Sequence, residues 1–157
     1  ACAEITFVRG DQSKPYLILL MRPGAAALIE TEAGEVVLVR QLRFGTNTYH
    51  WEIPGETVEA GESSQEAALR ALAEEAGGGD VLSIEQLPFS VAAAPHRMSE
   101  MTDVYHLRIS GFTAPTGPNE EIDAVRLATR EEVRGLIRDG EITEAVTLAA
   151  LGWLLAR

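Results

Sequence analysis

Between Glu56 and Gly78 the chain reads ETVEAGESSQEAALRALAEEAGG, and this block constrains the fold more than any other stretch of the sequence. Ser63-Ser64-Gln65-Glu66 has the spacing of a capping box, in which a hydroxyl and a carboxylate three residues apart each satisfy an amide of the first helical turn. Gly77 to Gly79 supply the stop. A helix running to about Ala76 is therefore defined at both ends. Residues three and four apart on it share a face. Leu69, Leu72, Ala73 and Ala76 form the expected inward stripe, while Glu66, Arg70 and Glu74 run along another face with Glu75 beside it. Position 71 precedes Glu74 and Glu75 by three and four residues, so its side chain is expected in the same patch, yet it is alanine. A carboxylate there would complete a three-acid cluster suited to hard divalent cations. On the helix alone, a solvated surface with the i,i+4 pairs Glu66–Arg70 and Arg70–Glu74 is an equally open reading.

The flanking sequence is rich in strands. Ala25–Glu30 and Glu35–Leu42 read as two strands joined by a turn at Glu32–Gly34, and Val36 to Val39 is a continuous β-branched and aliphatic run, as in a strand covered on both faces. Ile5–Arg9 and Pro15–Met21 read as earlier strands, Val81–Val91 and Thr102–Ser110 as a later pair, and Ala124–Ala128 as a short strand after a Pro/Gly/Asn loop. Thr129-Arg130-Glu131-Glu132 is a second capping box, opening a helix to about Asp139. Thr143 is expected to cap a last helix with a stripe of Val146, Leu148, Leu151, Leu154 and Leu155. Strands first, with helices interleaved and late, predict a layered α/β (α+β) domain.

The 157 residues fit one domain, 1–157, with no repeat or linker dividing it. A formal charge of −11 argues against nonspecific binding to nucleic acid or anionic membrane. An acidic chain that binds a phosphorylated small molecule needs local cations, and bound Mg²⁺ is the obvious source. Cys2 is the sole cysteine, so no disulfide forms within the chain and no Cys-based metal site exists. The longest apolar stretch, Tyr16–Met21, is far too short to span a bilayer, and no secretory pattern is present, so a cytoplasmic location is expected. His50, His96 and His106 lack metal-ligand spacing and read as structural or surface residues. Trp51 reads as core, with it or Tyr49 the alternative platform for stacking a base.

Trp51-Glu52-Ile53-Pro54-Gly55 leads into the block, and together they resemble the Nudix hydrolase family. That signature is Gly, five residues, Glu, seven residues, then Arg-Glu-aliphatic-x-Glu-Glu-x-Gly-aliphatic. Glu62, Arg70, Leu72, Glu74, Glu75 and Gly77 match at the right spacing, whereas Glu56, Ala71 and Gly78 depart from it. Val39-Arg40-Gln41-Leu42-Arg43, the loop Ala94-Pro95-His96-Arg97-Met98-Ser99-Glu100, and Asn119-Glu120-Glu121-Ile122 are similar to segments of the ADP-ribose and ADP-sugar pyrophosphatase branch.

The resemblance implies an α/β/α sandwich with a mixed central sheet, and hydrolysis of a nucleoside diphosphate linked to another group, aided by Mg²⁺ or Mn²⁺. It implies Glu74, Glu75, the Gly55 backbone and Glu120 as metal ligands, and Glu100, Arg70 and Glu74 as catalytic residues. Arg43, Glu52, Pro95 and Glu121 are implied for substrate binding, and residues 1–22 for a homodimer contact. Ala71 opens a rival reading, a catalytically impaired domain that binds a nucleotide-type ligand as a sensor or partner module. A nearby acid such as Glu56 is a candidate to fill the gap.

Overall fold

The computed structural model describes residues 2–9, 12–115 and 122–157. An antiparallel hairpin comes first, β1 (Cys2–Arg9) with β2 (Gln12–Leu19). The main sheet follows, built on β3 (Gly24–Thr31) and β4 (Val36–Arg43), then β5 (Thr48–Glu52) and the short β6 (Gly55–Thr57). Helix α1 (Ser64–Ala71) comes next, then the long strands β7 (Gly78–Val91) and β8 (Thr102–Thr113) and the shorter β9 (Ile122–Ala128). Helices α2 (Arg130–Arg138) and α3 (Ala145–Leu155) close the chain.

The sheet is mixed. β3 runs parallel to β8 from Gly24↔Thr102 to Thr31↔Ile109, while its other pairings, with β4 and β6, are antiparallel. β4 carries β5 and β9 on its two edges, both antiparallel, and β7 extends the sheet beyond β8. The turn after β3 is tight, with Gly34 at φ +77°.

Every residue of β3 is buried because both faces of the sheet are covered. Ala25, Ala27 and Ile29 face a core shared with Ala67, Ala68, Leu72 and Ala76, Val37 of β4, and Tyr105, Leu107 and Ile109 of β8. Ala26 and Leu28 face the other way, with Val36 and Leu38, toward Val133 and Leu136 of α2 and Ala150, Leu151 and Leu154 of α3. The period-two alternation of a strand thus serves two helical layers at once, giving the α/β/α sandwich with a mixed sheet that the sequence predicts. The alanines along β3 keep side chains short where helix and strand pack closely.

Two local expectations need correcting. Glu144, not Thr143, caps α3: its carboxylate accepts the amides of Val146 and Thr147 at 2.9 and 2.7 Å. The acidic side chain sits at the positive end of the helix dipole, where a charged acceptor outbids a hydroxyl. The inward stripe of α1 is also displaced, since Ala73 is exposed and Leu69 only half-buried, whereas Ala67, Ala68 and Ala71 are fully buried.

Candidate active site

Helix α1 begins as its capping box dictates. Ser63 Oγ accepts the Glu66 amide, and Glu66 Oε2 accepts the Ser63 amide at 2.8 Å. Glu66 is thereby committed to the cap and makes no pair with Arg70. After Ala71 the helix widens into a π turn over Leu72–Ala76, a feature frequent at functional sites. A π turn rotates less per residue than an α turn. Glu74 therefore stops short of the inner face and stays exposed, while Glu75 comes round onto it and is 7% exposed. Ala71, 0% exposed, lies on that same inner face one turn earlier. The single patch of 71, 74 and 75 expected from α-helical spacing is therefore split: 71 and 75 point inward and 74 outward.

Gly77 ends the turn at φ +111°, and a Cβ there would lie 2.1 Å from the Thr113 carbonyl oxygen, so only glycine fits.

Arg70 organises the acids. Its Nε and Nη2 bind the two oxygens of Glu62, each at 3.1 Å, and Nη2 also donates to the Thr57 carbonyl at 3.0 Å. Nη1 reaches Glu56 at 3.0 Å and Glu74 at 3.8 Å. The Arg70 hydrogen bond, aided by the Glu59 amide, holds the Glu62 carboxyl below its usual range. Glu75 sits on the inner side of this network and accepts the Gly55 amide at 2.9 Å. Burial, above all, pushes its pKa up to about 7; the Gly55 amide and Arg43 pull it down, and the charges of Glu56 and Glu52 push it further up.

A cleft of about 570 Å³ opens beside Gly55. Its walls include Gly55 and Glu56 of β6, Arg43 and Glu52 of the β4–β5 pair, Glu100 before β8, and Glu144 at the head of α3. Glu52 is 1% exposed and takes both Arg43 Nε contacts, at 3.1 and 3.0 Å, with a further bond from Nη2. Burial works against the Arg43 charge, but Glu52 outweighs it and raises the guanidinium pKa. Gly24 is required at the floor, where a Cβ would lie 2.8 Å from Thr102 Oγ1 and 3.1 Å from Glu100 Oε1.

The loop carrying Glu100 is pinned to the end of β2 and the start of β3. Leu19 donates to the Arg97 carbonyl, Ser99 to the Leu19 carbonyl, and Gly24 to the Met101 carbonyl, at 2.8 to 3.0 Å. Pro95, on the same loop, is exposed and outside the cleft lining. Glu120 and Glu121 lie outside the described residues.

The structure thus gathers Arg43, Glu52, Gly55 and Glu100 on one cleft, ties Glu75 to the Gly55 amide, and leaves Glu74 exposed outside the lining. It adds residues that the sequence reading passed over. His50 lines the cleft with its ring nitrogens 3.0 Å from Thr46 Oγ1 and 3.1 Å from Thr143 Oγ1. Strand alternation was the available signal, because His50 and Glu52 are two apart on β5 and share a face. Trp51, on the opposite face, packs against the core beneath α2 and α3, and neither it nor Tyr49 lines the cleft.

The chain matches the NUDIX domain over residues 20–151. It belongs to the NUDIX family. No curated protein matches the chain closely enough to add a relative. Membership in the NUDIX family implies a pyrophosphohydrolase working on nucleoside diphosphate-type substrates in general, with a divalent metal as these enzymes generally use. The donor set is consistent with such an ion. Among the described residues no three His, Cys, Asp or Glu side chains form a ready cage. Mg²⁺, however, keeps several waters and binds through one or two carboxylates plus substrate phosphates. Glu75, Glu56 and the Gly55 backbone offer hard oxygen donors of that kind, in a corner where acids outnumber cations. None of the described helices is long and apolar enough to cross a membrane.

Proposed function

We propose that this NUDIX domain hydrolyses the diphosphate of an ADP-ribose- or ADP-sugar-like compound, with Mg²⁺ or Mn²⁺ as cofactor. The observation that carries this reading is the buried carboxylate of Glu75, bonded to the amide of Gly55, which with Glu56 and Glu100 lines the cleft. A bound divalent cation would supply charge neutralisation of the diphosphate and orientation of the water. Glu75 would hold it from the inner side, and the exposed Glu74 would contribute weakly. Arg70 acts through others by fixing Glu62, Glu56 and Glu74. Glu100 accepts the proton of the attacking water, since its carboxylate oxygen stands over Gly24 on the cleft floor. A phosphorus–oxygen bond of the diphosphate breaks, leaving two phosphate monoesters. Arg43, held by Glu52, faces the departing phosphate, while Pro95, Glu120 and Glu121 carry only the roles that the family resemblance implies for them. A homodimer through residues 1–22 is part of the proposal, supported by the exposed Leu17, Leu19, Leu20 and Met21.

Incubation with Mg²⁺ or Mn²⁺ and a panel of nucleoside diphosphate derivatives including ADP-ribose, with chromatography of AMP and sugar phosphate, tests the reading. Turnover of an ADP-sugar-type compound is the expected result. Ala71 favours a second reading, a ligand-binding domain without turnover. Tight binding of ADP-ribose with no products from any panel member would establish that reading and sink the first.

A further inference from the structure

The two central departures from the family pattern fall on elements that pack together, α1 and β6. The signature places acids at 62, 71, 74 and 75; this chain places them at 56, 62, 74 and 75, so the number is unchanged and one acid has moved. The position that lost its acid is fully buried on the inner face of α1, one turn before Glu75. The position that gained one is next to Gly55, whose amide holds Glu75, on a strand against which α1 packs. Glu56 also lines the cleft, which Glu74 does not.

We propose that Glu56 is a relocated cation-binding carboxylate, supplying from β6 the ligand that Ala71 no longer supplies from the helix. This rests on the hydrolase reading of the same cleft. The ion pair with Arg70 gives Glu56 a structural role, yet it leaves the surrounding acids in excess. Arg70 faces Glu56, Glu62 and Glu74, and Arg43 pairs with Glu52 and feels the charge of Glu75. Five carboxylates against two guanidiniums leave a formal −3 around Gly55. Glu75 is more than nine-tenths buried there, and its hydrogen-bond partner among the described residues is one backbone amide. Like charges near a low-dielectric wall repel strongly. Arg70 Nη1 pairs with Glu56 at 3.0 Å, but the same guanidinium serves Glu62 through Nε and Nη2 and faces Glu74 at 3.8 Å, so one cation is shared among three acids. A cation between Glu56 and Glu75 removes the penalty and leaves its outer positions for water and substrate phosphate.

The test is Mn²⁺ binding without substrate, followed by titration calorimetry and by the loss of the free-ion spin-resonance signal. The proteins are the parent, Glu56→Gln, Glu75→Gln, and Glu56→Gln combined with Ala71→Glu. Glutamine keeps an acceptor for Arg70, and circular dichroism checks the fold. Glu56→Gln is expected to weaken Mn²⁺ at least about tenfold, and the added Glu at position 71 to recover most of that loss. Parent-like Mn²⁺ affinity in Glu56→Gln overturns the relocation on its own, whether or not the double variant folds. If in that case Glu75→Gln still abolishes binding, the hydrolase reading stands and only the relocation falls. A parent that binds no Mn²⁺ overturns both.

Discussion

Each end of β3 sits beside a buried carboxylate, and the two are treated in opposite ways. At the far end Glu30 accepts Arg130 Nη2 at 2.9 Å and His106 Nε2 at 3.0 Å. Arg130 also reaches the Leu154 carbonyl, and His106 meets the Trp153 ring edge-on at 5.5 Å between centroids, so the pair ties β3 and β8 to α2 and α3. Burial alone would raise the Glu30 pKa, but Arg130 and then His106 outweigh it and hold it below the usual carboxylate value. At the near end Glu75 has the Gly55 amide, and its pKa is pushed up to about 7. Two acids of similar burial therefore differ in what surrounds them. The first is finished by the fold; in the proposed function, the second is the acid that a cation would complete.

The comparison can be broken most directly at Glu75. Glu75→Gln should lower kcat about a thousandfold, equivalent to ~4 kcal/mol of transition-state stabilisation. Its melting temperature should hardly move, since glutamine still accepts the Gly55 amide. A variant that melts early but turns over normally would make Glu75 a second Glu30.

The reverse substitution, Glu30→Gln, should cost about 2 kcal/mol of unfolding free energy in urea, the scale of a hydrogen bond to a charged group, while kcat/KM of the folded fraction stays at the parent value. The sign of its pH dependence follows from the depressed pKa. The Glu30 contribution is fully present above the unfolded carboxylate pKa and disappears as pH falls through the lower folded value. The stability gap between parent and Glu30→Gln should accordingly close in the acid range and be constant near neutrality. A gap that persists at the lowest pH at which the protein folds would contradict the ion-pair account.

Glu74→Gln should show the smallest effect. Its side chain is 59% exposed and 3.8 Å from Arg70, so Mn²⁺ affinity should change by less than about threefold, in keeping with the small worth of exposed pairs. An effect as large as that of Glu75→Gln would show that the π turn does not separate the two acids as their exposure indicates.

Much of the fold was readable because its signals are local. The capping boxes at Ser63 and Thr129 each depend on four consecutive residues, and both form. The Val36–Val39 run announced a strand covered on both faces, and its alternate side chains do enter the two cores. What stayed hidden depended on distant partners. The parallel pairing of β3 with β8 joins residues nearly eighty positions apart, from Gly24 to Thr102, and no periodicity encodes it. His50 joined the cleft because Thr143, ninety-three residues on, supplies one of its partners. Phase was the other hidden variable. α-Helical spacing put 71, 74 and 75 together, and one π turn moved Glu74 out.

By itself, the sequence determined the family, the layered architecture and the set of acids around one arginine, because residue type and spacing carry all three. The tertiary structure decided which of those acids are buried, paired or open to the cleft. Burial and charge balance belong to the space between elements: Glu75 turns inward and accepts the Gly55 amide, Glu56 stands next to Gly55 on β6 and pairs with Arg70, and Ala71 is buried on the inner face of α1.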